Sequence, residues 1–335
     1  MKNSSRLFLF SLPLILFALF SLTNCNKSDH TSTFVAQDTL GSGWTKMNVY
    51  GNAGSTGGGD IFFNSTSTGF LSGQSRGTFR STDGGNTWTE IFRAGGGSLL
   101  ASNIAMTSDN KAFFVRPAED SIFKTLNLGA TVTGCSLAGA SPSDIFLADN
   151  NTGLCSSDKG IFKTTDGGNS WNNIYPLPNF IASYSTIFMF DPTNAWVCYS
   201  NKVFHANGSL ASFKLDSVPA VIPNIGLISV FATSASTVYV SSNSGYVFKS
   251  VDAGNTFSVL KKLDGGYRSI GSDLHFVDAN TGYMSLGSRI FKTTDAGNTW
   301  TMVVALGSTS INEIHFIDAT HGWACCTDGY ILKFN

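Results

Sequence analysis

Throughout the chain, short apolar runs of Val, Ile, Phe and Tyr alternate with polar clusters of Gly, Asn, Asp and Ser. Period two over such stretches predicts half-buried β-strands joined by turns, and few windows carry a helical period. The pattern predicts an all-β chain. The order of runs also repeats. "LHFVDANTGYMSLGSRIFKTTDAGNTW" (274–300) predicts strands at 274–277, 282–286, 289–293 and 299–303. Related text occupies 61–91, 104–125, 137–174, 187–208, 228–260 and 314–334, which makes seven units.

The third turn of the unit is nearly verbatim in four places: "GTFRSTDGGNTW" (77–88), "GIFKTTDGGNSW" (160–171), "YVFKSVDAGNTF" (246–257) and "RIFKTTDAGNTW" (289–300). Its aspartates, Asp83, Asp166, Asp252 and Asp295, lie 83, 86 and 43 residues apart. The two long gaps are twice the short one. Two units therefore keep their length while losing the turn, with "LNLGATV" and "ANGSLASF" in its place. Four short strands per unit of that length is the arithmetic of a β-propeller blade. The expected fold is a seven-bladed β-propeller.

The last unit stops after its third strand, and "GSGWTKM" (41–47) resembles the missing fourth. Trp44 precedes Trp88 by 44 residues, one period. An open ring leaves two sheet edges, so the N-terminal strand is expected to complete the last blade, with Trp44 as its buried anchor.

The repeated turn has a local physical reading. An aspartate carboxylate there accepts main-chain N–H groups across the hairpin. Gly85, Gly168, Gly254 and Gly297 supply positive φ. Trp88, Trp171, Phe257 and Trp300 are expected to pack into the blades. The Ser/Thr-x-Asp-x-Gly-x-Thr-Trp pattern resembles the Asp-box, or bacterial neuraminidase repeat. Each aspartate falls on a different blade, so their expected role is structural. Function is expected in the text that differs between units.

Composition narrows the class. The 335 residues carry a formal net charge of −1, and only 13% are charged. That offers no basic face for nucleic acid. At the N-terminus, Lys2 and Arg6 precede the apolar run "LFLFSLPLILFALFSL" (7–22), which reads as a secretory signal. It leads into "LTNC", similar to the lipobox of bacterial lipoproteins, with Asn24 departing from the usual small residue. The expected organisation is a signal peptide at 1–24, a tether at 25–37 with lipid on Cys25, and the propeller at 38–335. The expected location is the cell envelope, at the outer membrane. Cys135, Cys155, Cys198, Cys325 and Cys326 are odd in number and irregular in spacing, which is no disulfide framework. A Cys135–Cys155 bridge stays open in an oxidising compartment.

Candidate chemistry sits in the variable loops, on the face opposite the repeated turns. Arg76, Arg93, Arg116, Arg268 and Arg289 fall in or beside them, and a cluster of guanidiniums there suits an acidic partner or a carboxylate. His275 and His315 share a first-strand position that elsewhere holds Ile61, Ile104, Leu137, Phe188 and Val230, so both read as packing residues. Of three glutamates, Glu90 and Glu313 lie in ordinary strands and Glu119 in a loop. No catalytic residue, metal site or cofactor is expected.

The full unit, F-x-D-x-x-x-G-Y/W followed by G-x-I-x-K-T-T-D-G/A-G-N-T-W, resembles the photosystem II assembly factor-like propellers over about 41–335, most closely at 160–174 and 270–335. That resemblance implies a non-enzymatic, monomeric binding or assembly scaffold, here with a lipid anchor, an envelope protein or glycan as partner, and no nucleic acid. The alternative is a sialidase-related carbohydrate-active enzyme or a glycan-binding lectin. Sialidases place a Phe-Arg-Ile-Pro-type motif before the first box. The nearest string here, "FVRP" (114–117), comes after it.

Overall fold

The innermost strands of seven antiparallel sheets touch one another in circular order, the seventh against the first. The chain is a seven-bladed β-propeller, seen in a computed structural model that describes residues 38–49, 58–73, 77–92, 103–115, 120–176, 185–221, 225–265 and 272–335. The inner strands of blades I to VII are Gly58–Phe63, Ile104–Met106, Pro142–Leu147, Thr186–Asp191, Leu227–Ala232, Ser272–Phe276 and Ile311–Phe316. The expected lipid-bearing segment, Cys25 included, lies outside the described residues.

The outer strand of blade VII is Trp44–Asn48, antiparallel to Tyr330–Phe334 with Trp44 opposite Phe334. Trp44 is buried, edge-on to Phe316 at 5.9 Å between ring centroids and tilted against Phe334 at 5.2 Å. Just upstream, Thr39–Leu40 adds a fifth strand to blade VI, opposite Ala305 and Val304. The five cysteines of the propeller are all free thiols, Cys135 and Cys155 among them.

The repeated turn is held by one motif of hydrogen bonds. Asp83 Oδ1 accepts from Thr87 N at 2.9 Å and from Ser81 Oγ at 2.8 Å, and its Oδ2 accepts from the Thr87 hydroxyl at 2.6 Å. Ser81 Oγ in turn accepts from Gly85 N at 2.8 Å. Asp166, Asp252 and Asp295 make the same bonds in blades III, V and VI. Donors aimed at the carboxylate hold Asp252 down to about 2, against its burial penalty. Gly254 has φ of +95°, and a Cβ there would sit 2.8 Å from Trp196 Nε1. The outer strand of blade VI is Thr301–Ala305, two residues later than the pattern predicts, because Asp295 keeps Thr299 in the turn.

Blade II corrects the sequence reading. Its "TLNLGAT" is the same turn with Asn127 in place of the aspartate. Asn127 Oδ1 accepts from Thr131 N at 2.9 Å, and Thr125 Oγ1 accepts from Gly129 N at 2.7 Å. Leu128 and Gly129 take the two positive-φ positions. Five blades therefore carry the turn. In blade IV it is absent.

Each turn also fastens the blade before it. In blades I, V and VI the first positive-φ residue turns its carbonyl outward, and an aromatic from the second strand of the preceding blade donates to it. Trp323 Nε1 reaches Gly84 O at 3.1 Å, Trp196 Nε1 reaches Ala253 O at 2.9 Å, and Tyr239 OH reaches Ala296 O at 3.1 Å. A cation from the preceding blade also ties the turn, including those of blades II and III, where the aromatic is Phe70 or Phe113 and has no donor. Arg80 donates to Leu128 O at 2.8 Å, Lys124 to Gly168 O at 3.0 Å and Lys214 to Asn255 Oδ1 at 2.8 Å. The aromatic stacks flat on the next inner strand, Trp323 on Phe63 at 3.7 Å and Tyr283 on Phe316 at 4.0 Å. A glycine precedes it because a Cβ on Gly322 would lie 2.3 Å from the Phe316 ring.

Tyr283 has a donor and no turn to receive it. Its third and fourth partner strands in blade VII come from opposite ends of the described chain, so no turn carbonyl stands opposite it. Its hydroxyl is buried with no hydrogen-bond partner among the described residues. Tyr283→Phe is expected to leave stability unchanged or raise it by up to about 1 kcal/mol, whereas Tyr239→Phe costs about 1 kcal/mol. Paired chemical denaturation of the two variants checks the difference.

Candidate functional site

Directly before a buried apolar residue of each inner strand (Ile61, Ile104, Ile145, Ile187, Val230, Leu274 and Ile314) stands a polar side chain: Asp60, Asn103, Asp144, Thr186, Ser229, Asp273 and Glu313, in blade order. The innermost strands place this set around the axis of the ring, toward the face of the blade-to-blade loops. A β-bulge beside several of these residues turns them out of the regular pleat, as between Pro142 and Asp144 and between Ile311 and Glu313.

The set is linked from blade to blade. Asp60 accepts from Ile104 N, Asp144 from Ile187 N at 2.6 Å, Ser229 from Leu274 N at 3.2 Å and Asp273 from Ile314 N at 3.2 Å. Asn103 Nδ2 donates to Asp144 Oδ1 at 2.8 Å, and Ser229 Oγ donates to Asp273 Oδ1 at 2.8 Å. Small hydroxyls on the second strand take main-chain donors of the set, with Ser72 accepting from Asp60 N at 2.8 Å and Ser285 from Asp273 N at 2.9 Å.

Removal from water raises these carboxyls, Asp60 to about 8 and Asp144 to about 6. Asp273 is raised for the same reason, and Glu313 stands well above the usual range, through burial and then the negative charge of Asp273. Asp273 and Glu313 hydrogen-bond to each other, so one of them carries a proton. Burial thus shifts every one of these carboxyls in the same direction, toward the protonated form. Among the described residues, no three His, Cys, Asp or Glu are arranged to hold a metal ion.

Two residues further along, on the same strand face, lies an aromatic layer: Phe62, Phe146, Phe188, Phe231, His275 and His315, with Ala105 at the seventh place. Ring centroids follow one another at 5.0 Å (Phe146–Phe188), 4.4 Å (Phe188–Phe231), 4.9 Å (Phe231–His275), 5.2 Å (His275–His315) and 4.2 Å (His315–Phe62). The strand register thus corrects the equivalents read from sequence. Phe62, Ala105, Phe146 and Phe231 match the histidines, in place of Ile61, Ile104, Leu137 and Val230. Both imidazoles are neutral. Burial depresses His275 well below its ordinary value and His315 to about 4. His315 Nε2 donates to Phe63 O at 2.7 Å.

Of the five candidate arginines, Arg76, Arg93, Arg116 and Arg268 lie outside the described residues, as does Glu119. Arg289 is described and already engaged. It donates to the Asp264 carbonyl at 2.9 Å and to its carboxylate at 2.8 Å. Sequence reading missed the axial carboxyls altogether, and it treated Glu313 as an ordinary strand residue. The usable signal was a polar residue directly before the apolar run in every unit.

No family model and no curated protein matches the chain. Solved structures do. YCF48 from Cyanidioschyzon merolae superposes with a TM-score of 0.68 at 16% identity, covering 88% of this chain and 99% of that one. A YCF48 bound to D1 peptide has the same TM-score and identity over 87% and 96%. A catalytically inactive virginiamycin B lyase from Staphylococcus aureus, with quinupristin, gives 0.71 at 15% identity over 87% and 98%. The GH74 xyloglucanase of Xanthomonas campestris gives 0.65 at 12% identity, with 86% of this chain matching 53% of that one. At these identities the likeness is one of fold, shared by binding proteins and enzymes alike.

Proposed function

We propose that this chain is a lipid-anchored envelope protein that acts without catalysis, as a binding or assembly scaffold, through the loop face opposite the repeated turns. The observation that carries this reading is the occupation of the axial carboxyls. The described acids at that face bond main-chain N–H groups of neighbouring blades or each other. That use stiffens a platform and leaves no described acid and base set apart for proton transfer on a substrate. A relative in fold, YCF48, is seen with a peptide bound, which fits a propeller that presents loops to a protein segment. In this reading Arg76, Arg93, Arg116 and Arg268 supply the charge for an acidic segment, Arg289 shapes the rim through Asp264, and Cys25 carries the lipid.

The test is affinity capture from envelope membranes with the full-length acylated chain. We expect a discrete partner that is held about tenfold more weakly when Arg93, Arg116 and Arg268 are changed together to Glu. The same preparation is expected not to turn over fluorogenic sialosides or xyloglucan. Turnover that is abolished by Arg116→Ala overturns the proposal in favour of a carbohydrate-active enzyme.

A further inference from the structure

The seven outer strands are not alike at the position facing outward opposite the third strand. Blades I, II, III and VII place Glu90, Gly134, Asn173 and Lys46 there or at the matching step. Blades IV, V and VI, which are consecutive, place Leu215, Val259 and Met302. These three side chains are 47%, 43% and 46% exposed, and they belong to a short set of large apolar residues on the described surface. Lysines flank them. Lys261 and Lys262 are exposed beside Val259, and Lys214 next to Leu215 is exposed while tied to Asn255. Two carboxylates stand near them: Asp216 is half-buried and paired with Lys214 at 3.3 Å, and the exposed Asp264, two residues beyond Lys262, is paired with Arg289 at 2.8 Å.

The way the chain enters the ring adds an independent observation. The first described strand, Thr39–Leu40, lies on the outer edge of blade VI, against Val304 and Ala305. Cys25 precedes Asp38 by thirteen residues, a reach of at most about 45 Å. The described chain therefore begins at the edge of blade VI, one of the three blades that carry the apolar and basic stripe.

We propose that the outer edges of blades IV to VI rest on the surface of the membrane, so that the disc stands on its rim with both faces free. The occupant is a phospholipid surface with anionic headgroups. Leu215, Val259 and Met302 enter the interfacial region and Lys214, Lys261 and Lys262 meet the phosphates. Three exposed apolar side chains and three lysines give weak binding alone, which becomes effective once a lipid anchor raises the local concentration. This inference rests on the anchor proposed above. It goes beyond that reading by fixing the orientation, which leaves the loop face open sideways to a partner in the same membrane.

The experiment uses the full-length chain in vesicles of phosphatidylethanolamine and phosphatidylglycerol. Intact mass establishes whether Cys25 is acylated. Amide hydrogen exchange is then compared with and without vesicles. We expect exchange to slow several-fold in Lys214–Ser217, Ser258–Lys262 and Thr301–Ala305, and not in Asn172–Pro176 of blade III. The L215E/V259E/M302E variant is expected to keep its acyl mass and lose the protection. Acylated protein with equal exchange in every outer strand overturns the orientation and leaves the anchor standing. Protection that appears with native membranes but not with pure lipid assigns the edge to a protein and overturns it too. A chain without the acyl mass overturns the anchor and the orientation together.

Discussion

Trp44→Ala is expected to destabilise the entire propeller by about 3–5 kcal/mol, through the cavity it leaves and the contacts it removes. The indole is 5% exposed and wedged between Phe316 of blade VII's inner strand and Phe334 of its third. It is also the first residue of the strand that covers the edge of Tyr330–Phe334. Weakening it frees that edge and the adjoining Thr39–Leu40 on blade VI. Because neighbouring blades share their cores, the loss is felt around the ring. Urea titration followed by tryptophan fluorescence and by far-ultraviolet circular dichroism checks this. We expect coincident transitions displaced to lower denaturant. A transition unchanged from the parent, or a loss confined to the N-terminal strand, refutes it.

The second large effect is on pH. Asp60 is raised to about 8 and Glu313 lies well above its ordinary value. In the unfolded chain these groups ionise near their usual values of about 4. Between those limits the native state holds more protons, so stability falls as pH rises. The neutral histidines act the other way, but only below their unfolded value of about 6.5. From pH 7 to 9, Asp60 alone is therefore expected to remove about 1–2 kcal/mol, with Glu313 adding to it. Melting temperature should decline over that interval. Asp60→Asn, which keeps an acceptor for Ile104 N, should flatten the decline. A parent whose melting temperature is level from pH 7 to 9 contradicts the assignment.

The architecture was legible because each blade writes its strands in alternating code and punctuates them with the same turn. A repeat read by identity has blind spots of a definite kind. Asn127 does the work of Asp83 through the one oxygen that accepts the Thr131 amide, so a search for aspartate passed over it. The axial ring runs Asp, Asn, Asp, Thr, Ser, Asp, Glu. It keeps a hydrogen-bonding function while changing the residue at almost every step, so no motif advertised Glu313. The approach to the inner strand differs from blade to blade, by a bulge in some, so Phe188 was matched to His275 and His315 in register while Ile61, Ile104, Leu137 and Val230 were not. The arginine-bearing loops carry no repeat at all. Their text varies where the scaffold makes no demand.

The pairing of Trp44–Asn48 with Tyr330–Phe334 also sets an order of events. Thr45 and Lys333 meet across 288 positions of sequence, and contacts so remote form late. On a chain made from its N-terminus, the earliest ribbon must wait for the latest. Until then six complete blades and part of a seventh stand as an unlocked arc, with Phe316 and Phe334 lacking the Trp44 ring that packs on them. Whatever shields that lip decides whether the newborn chain closes on itself or on its neighbour.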